Sequence, residues 1–150
     1  MHDDKRSPRI RLARALFFAC GVWLVGLGVY FIFIRPPLLP EDPRFMGATL
    51  AQIQQGLPGL AGWLRMVFTV MGGFMATAGL LTLHAASGLR SEAERGTLLV
   101  LALAGMTGVG LMSGVNFALH SDFRWLLLVP PVLWLLGVVV LASARRSKPG

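Results

Sequence analysis

The chain has 150 residues, 55% of them hydrophobic and only 14% charged, with a formal net charge of +7 and a single cysteine. A soluble domain is charged at about one position in four, so too little polar material is present to wrap an ordinary water-soluble core. One cysteine excludes an intramolecular disulfide and any thiolate metal cluster built from this chain alone, and no P-loop, G-x-S-x-G, H-E-x-x-H or paired-cysteine pattern occurs.

The charges that remain are clustered. Uncharged runs of 20, 24, 26 and 20 residues separate Arg14 from Arg35, Arg65 from Arg90, Arg95 from Asp122, and Arg124 from Arg145. A bilayer core about 30 Å thick takes roughly twenty residues of helix. The four runs predict an all-α fold, a four-transmembrane-helix bundle forming one integral membrane domain over residues 1–150. Its helices are expected at about 15–34, 60–86, 94–120 and 123–144.

The basic front "MHDDKRSPRIRLAR" could belong to a secretory signal. The apolar stretch behind it is too long for a signal core, and "RPP" closes it in place of an A-x-A cleavage site. An uncleaved first helix is the expectation. Cys20 ends "LFFAC", a faint lipidation signal; two phenylalanines precede it and the apolar run continues to Ile34, which argues against modification.

Pro36 and Pro37 stop the first helix, since proline lacks the amide and clashes with the preceding turn. A strap from Arg35 to about Gly62 follows, containing "RPPLLPEDPRF". In it Asp42 suits a helix cap and Pro43 a first helical position. Thr49 to Gln52, "TLAQ", fits a capping box. It opens a short helix with Leu50, Ile53 and Leu57 on one side, expected to lie flat on the outer membrane surface.

The second helix starts near Leu60, with Trp63 in the interfacial zone. "SGLRSEAERGT" is an inner loop, with a second capping box at Ser91 to Glu94. The third helix runs to His120 and "HSD" breaks it. Ser121 or Asp122 is placed to cap the fourth helix, which Arg124 and Trp125 anchor at the outer face. Pro130 and Pro131, about two turns in, predict a kink. "SARRSKPG" is a basic tail.

Lipid is as apolar as leucine, so helix pairing inside a membrane relies on close backbone approach through small residues. Gly110, Gly114 and Ala118 share a face of the third helix, with Ala104 and Gly108 as an offset pair. Gly72, Ala76 and Gly79 line the second helix, and Gly21 and Gly28 the first. Close packing of the second and third helices is expected, with the first against them. The same faces suit a homo-oligomer or another membrane-protein partner.

Basic residues collect at cytoplasmic helix ends. Four spans place Lys5, Arg6, Arg9, Arg11, Arg14, Arg90, Arg95, Arg145, Arg146 and Lys148 on one side and Arg35, Arg44, Arg65 and Arg124 on the other. Ten against four puts both termini in the cytoplasm, and attraction to anionic head groups of the lipid bilayer accounts for the net charge without nucleic acid.

No Asp, Glu, Lys or Arg lies well inside a span, which argues against a carboxylate-driven antiporter and a voltage sensor. His84 and His120 belong at opposite membrane faces, so one protomer cannot hold a haem between them. No cofactor, metal site or catalytic residue is expected. Asn116 is expected to hydrogen-bond a neighbouring helix.

One polar constellation remains. Glu41, Asp42 and Arg44 come from the strap; His120, Asp122 and Arg124 come from the turn between the third and fourth helices. If the strap folds over the helix ends, these six form a ligand-binding pocket or docking patch. The plainer reading is surface ion pairing that fixes the strap, each pair weak when exposed.

"LLPEDPRFMG" followed by "GGFMATAGLL" resembles small four-helix inner-membrane proteins of bacteria with no assigned activity. The resemblance runs from the first helix through the second. It implies a multi-pass location in the bacterial inner membrane and carries over no functional residue.

Three functions fit these readings. The first is a non-enzymatic accessory or assembly subunit acting by interaction. The second is a small transporter or binder of a neutral or amphipathic ligand, with its site under the 35–62 segment. The third is a membrane enzyme using His120 with Asp122 or Glu41 as acid and base.

Overall fold

The computed structural model describes residues 8–89 and 95–146. All regular structure among them is helical. Helix α1 (Pro8–Phe33), α4 (Leu60–Gly88) and α7 (Val129–Arg146) are continuous. Helices α5 (Arg95–Gly105) and α6 (Leu111–Ala118) are joined by one π-helical turn, Met106–Gly110. Two short helices, α2 (Glu41–Met46) and α3 (Leu50–Gly56), occupy the connection between α1 and α4.

Four segments are long and apolar enough to cross a membrane: Pro8–Phe33, Leu60–Gly88, Gly96–Ala118 and Leu126–Ala144. Phe74, Leu81, Met66, Leu99, Leu111 and Leu135 stand exposed along them. Contiguous apolar surface of that extent is rare on a soluble monomer. By length and composition the chain is a multi-pass membrane protein.

The first span begins earlier than its uncharged run. Arg9, Arg11 and Arg14 lie within α1, because arginine is a good helix former and nothing after Pro8 interrupts the helix. The Arg14 guanidinium donates to the Leu89 carbonyl at 2.7 Å, tying the start of α1 to the end of α4.

The spans pack as a row, α4–α1–α7–α5/α6. In the α1–α4 seam the two backbones touch. A Cβ at Gly28 would stand 2.6 Å from the Ala76 amide nitrogen and the Gly72 carbonyl oxygen; one at Gly79 would stand 2.8 Å from the Gly21 carbonyl oxygen. The face-sharing expected of Gly21 with Gly28, and of Gly72, Ala76 and Gly79, is what forms this seam. Its partner differs from expectation: α4 packs on the first span and not on the third. Among the described residues, Gly108 and Gly114 of the third span have no atoms within 4 Å of where a Cβ would point, and Gly110 meets only Gly105 of its own span.

On the other side of α1, larger side chains interlock. The rings of Phe17 and Trp134 meet edge to face at 5.3 Å. Phe17 also covers Gly137. Cys20 is wholly buried, and its thiol approaches the Pro130 carbonyl at 3.4 Å. Ile10, Ala13, Leu101, Val109 and Leu141 complete this core.

The proline pair sits where the winding of the fourth span changes. A 3-10 turn, Leu126–Leu128, precedes α7, and Pro130 and Pro131 fall in the first turn of α7. There the missing amides would have had no partner within α7, so the prolines begin the regular helix. Asn116 is also placed differently. Its Nδ2 donates to the Met112 carbonyl one turn back at 2.9 Å, so the bond stays within its own helix. The capping box expected at Ser91–Glu94 lies outside the described residues.

Candidate functional site

The connection between α1 and α4 is organised by its own sequence. Pro36 and Pro37 turn the chain off α1. Asp42 does not cap α2 from the preceding position; it lies inside the first turn, and its Oδ2 accepts from the Leu39 amide at 2.7 Å. Gly47 ends α2 at φ 67°, a left-handed geometry that glycine adopts without strain. The Thr49–Gln52 capping box forms as expected: the Thr49 hydroxyl accepts from the Gln52 amide at 3.2 Å and the Gln52 carboxamide accepts from the Thr49 amide at 2.8 Å.

Arg35 is the hinge pin of this segment. Its guanidinium carbon lies 3.6 Å from the ring centroid of Phe68 on α4 and 5.2 Å from that of Phe31 on α1. It sits 3.8 Å from Asp42 Oδ2, and Nη1 donates to the Pro36 carbonyl at 3.0 Å. Burial pushes the guanidinium below its ordinary pKa while Asp42 pulls it upward; arginine stays protonated regardless. Sequence reading passed over Arg35, although an arginine four residues after an aromatic, at the end of an apolar run, is a legible cation–π signal.

The turn after α6 is fixed by a Schellman-type ending. His120 takes φ 51°, its amide donates to Phe117 and the Ser121 amide donates to Asn116. Ser121 is thereby buried and aimed at α2. Its hydroxyl donates to Glu41 Oε1 at 3.0 Å and accepts from the Phe123 amide at 3.2 Å. Glu41 is 6% exposed.

The six residues singled out from the sequence thus meet only in part. Glu41 and Asp42 face inward. Arg44 pairs with Asp122 at 3.4 Å on the exposed rim. Arg124 turns to the His120 and Ser121 carbonyls at 3.2 and 3.3 Å. His120 is exposed, and its side chain joins none of them among the described residues. Ser121, a connecting residue, was read only as a cap.

Beneath this polar layer lies a cavity of about 350 Å³. Leu27, Tyr30, Met112, Leu126 and Leu127 give it an apolar floor, and Arg35, Glu41, Asp42, Asn116 and Ser121 form its polar end. A smaller cavity of about 210 Å³ lies on the other side of α2, against Leu64 and Phe68 of α4. Glu41 and Asp42 line both. The larger volume falls at the low end of ligand pockets, and an apolar cleft with a few convergent polar groups is their usual construction. Among the described residues no group of three or more His, Cys, Asp or Glu side chains could hold a metal ion. Comparison with protein-family models, curated proteins and solved structures finds no match for the chain.

Proposed function

We propose that this is a non-enzymatic protein of the bacterial inner membrane, with both termini cytoplasmic, that binds an amphipathic ligand beneath an extracytoplasmic lid formed by residues 35–62. The observation that carries this reading is the cavity between α1, α2 and α6, with its apolar floor and a polar end built around the buried Glu41–Ser121 bond. The orientation rests on the basic residues, ten against four. It places the Arg35–Glu41–Asp42 layer at the outer membrane level, where an amphipath can keep its head near water and its tail among Leu27, Met112 and Leu126. The test is thermal melting of the purified chain against a panel of lipids, quinones and metabolites. A saturable shift that disappears in Leu127→Trp, which fills the cavity, supports the reading; no shift across the panel overturns it.

The accessory-subunit reading has its own support. The row leaves much of the third span uncovered, and a Cβ at Gly108 or Gly114 would meet no atom of the described residues within 4 Å. A partner helix could approach closely there. Replacing both with leucine should leave the melting temperature of the isolated chain unchanged and dissolve a complex or oligomer isolated in mild detergent. A complex that survives both substitutions removes this surface from consideration.

A further inference from the structure

The polar end of the larger cavity has an uneven charge inventory, with two acidic side chains against one guanidinium. Its donors are partly engaged. Arg35 Nη1 is bonded to the Pro36 carbonyl, Nη2 faces Asp42, and the guanidinium plane is occupied by Phe68. Asn116 Nδ2 is bonded to the Met112 carbonyl. The Ser121 proton goes to Glu41, and the Ser121 oxygen already accepts from Phe123. The Arg35 Nε–H, the second N–H of Asn116 and the Tyr30 hydroxyl have no acceptor among the described residues.

The acceptors are not spent. Glu41 gives one oxygen to Ser121, and its second has no donor among the described residues. Asp42 uses only Oδ2. Asn116 Oδ1 has no donor among the described residues. The lining groups with a formal charge are Arg35, Glu41 and Asp42, one positive against two negative, for a formal balance of −1. A head group that brings a negative charge would face two carboxylates against one guanidinium. One that brings donors would complete the open valences of Glu41 and Asn116, and a charge-assisted bond to a carboxylate is about twice as strong as a neutral one.

Building on the amphipath reading, we propose that this cavity selects ligands whose head donates hydrogen bonds, an ammonium in preference to a hydroxyl and either in preference to a carboxylate. The ammonium sits between Glu41 and Asn116, and the alkyl part lies against Leu27, Met112, Leu126 and Leu127. Selection is by charge at the head, with the tail read only by size.

The experiment uses three probes of equal tail, octylamine, octanol and octanoate, titrated onto the full chain and counted by native mass spectrometry. The expected result is one octylamine per chain, bound at least about tenfold more tightly than octanoate, with octanol between them. Glu41→Gln keeps an oxygen for the Ser121 hydroxyl and should bring octylamine down to the octanol level. Asn116→Leu, which leaves the Glu41–Ser121 bond untouched, should also narrow the gap. Melting of each variant without probe confirms that it is folded. Octanoate binding as tightly as octylamine, or an octylamine preference unchanged in both variants, overturns the selectivity and leaves the cavity reading standing. If no probe binds saturably, or if Leu127→Trp binds all three as the parent does, the cavity reading falls and the selectivity with it.

Discussion

The indole N–H of Trp134 donates to the backbone carbonyl of Leu101 at 2.8 Å, joining the fourth span to the third in a buried setting. Trp134 can lie this close because Gly105 offers no side chain: a Cβ there would overlap the indole ring. The bond falls one turn before the π-helical turn at Met106–Gly110, where the third span changes its winding. In apolar surroundings neither the indole N–H nor an exposed carbonyl finds water, so the pair fixes how the outer span of the row is rotated against α7.

Removing that donor should loosen the third span. Trp134→Phe keeps an aromatic ring for Phe17 and loses the N–H; a cost of about 1–3 kcal/mol is expected from the lost bond and lost packing. Gly105→Ala forces the ring aside and should cost a comparable amount. Reversible unfolding in mixed detergent micelles measures both. Parent-like stability in both variants would mean that the third span is held by something other than this contact.

The α1–α4 seam makes a sharper contrast, because glycines on the same helix have opposite surroundings. A methyl group at Gly28 would stand 2.6 Å from backbone atoms of α4, whereas Gly26 has nothing within 4 Å. Gly28→Ala should push the helices apart and lower stability by about 1–3 kcal/mol. Gly26→Ala should be neutral or slightly stabilising, since alanine is the better helix former. Equal effects of the two substitutions on melting temperature would contradict the seam.

These glycines also mark what the sequence made legible. The number of spans followed from where charges are missing, and the helix faces followed from spacing. Which face meets which helix did not, because Gly72–Gly79 and Gly110–Gly114 carry the same pattern and only three-dimensional packing distinguishes a filled face from an open one. The proline pair is ambiguous for a related reason: a proline at 130 reads as interior or as first turn depending on where the regular helix begins, and the 3-10 turn at Leu126–Leu128 sets that point. At the candidate site Glu41 and Asp42 were visible as charges in a proline-rich strap. Their partners were not. Ser121 becomes a partner only through the left-handed turn at His120, and Arg35 gains its nearer ring, Phe68, only through the packing of α4.

Arg35 yields a prediction about chemistry rather than charge. A planar guanidinium can stack on Phe68 and still reach Asp42 and the Pro36 carbonyl with its edges; an ammonium cannot do all three. Arg35→Lys should therefore lower the melting temperature nearly as far as Arg35→Gln does. Because the guanidinium stays protonated, the difference between parent and Arg35→Gln should not vary with pH from mildly acidic to mildly alkaline conditions. Full rescue by lysine would reduce the stack to a simple charge effect.

Two tethers hold the α2 segment to the α6–α7 turn, and they should differ in strength. Arg44 and Asp122 meet at 3.4 Å with side chains 62% and 56% exposed; an ion pair of that kind contributes about 0–1 kcal/mol and is screened by salt. Ser121 is buried, and its hydroxyl serves Glu41 and the Phe123 amide together. Ser121→Ala strips a donor from a buried carboxylate and an acceptor from a backbone amide, so a loss of about 1–3 kcal/mol is expected. Asp122→Ala should change the melting temperature little at low salt and not at all at high salt, whereas the Ser121→Ala deficit should persist in both. Should the exposed pair prove the stronger of the two, the segment would be fastened at its rim, and Glu41 would be free to turn away from the cavity.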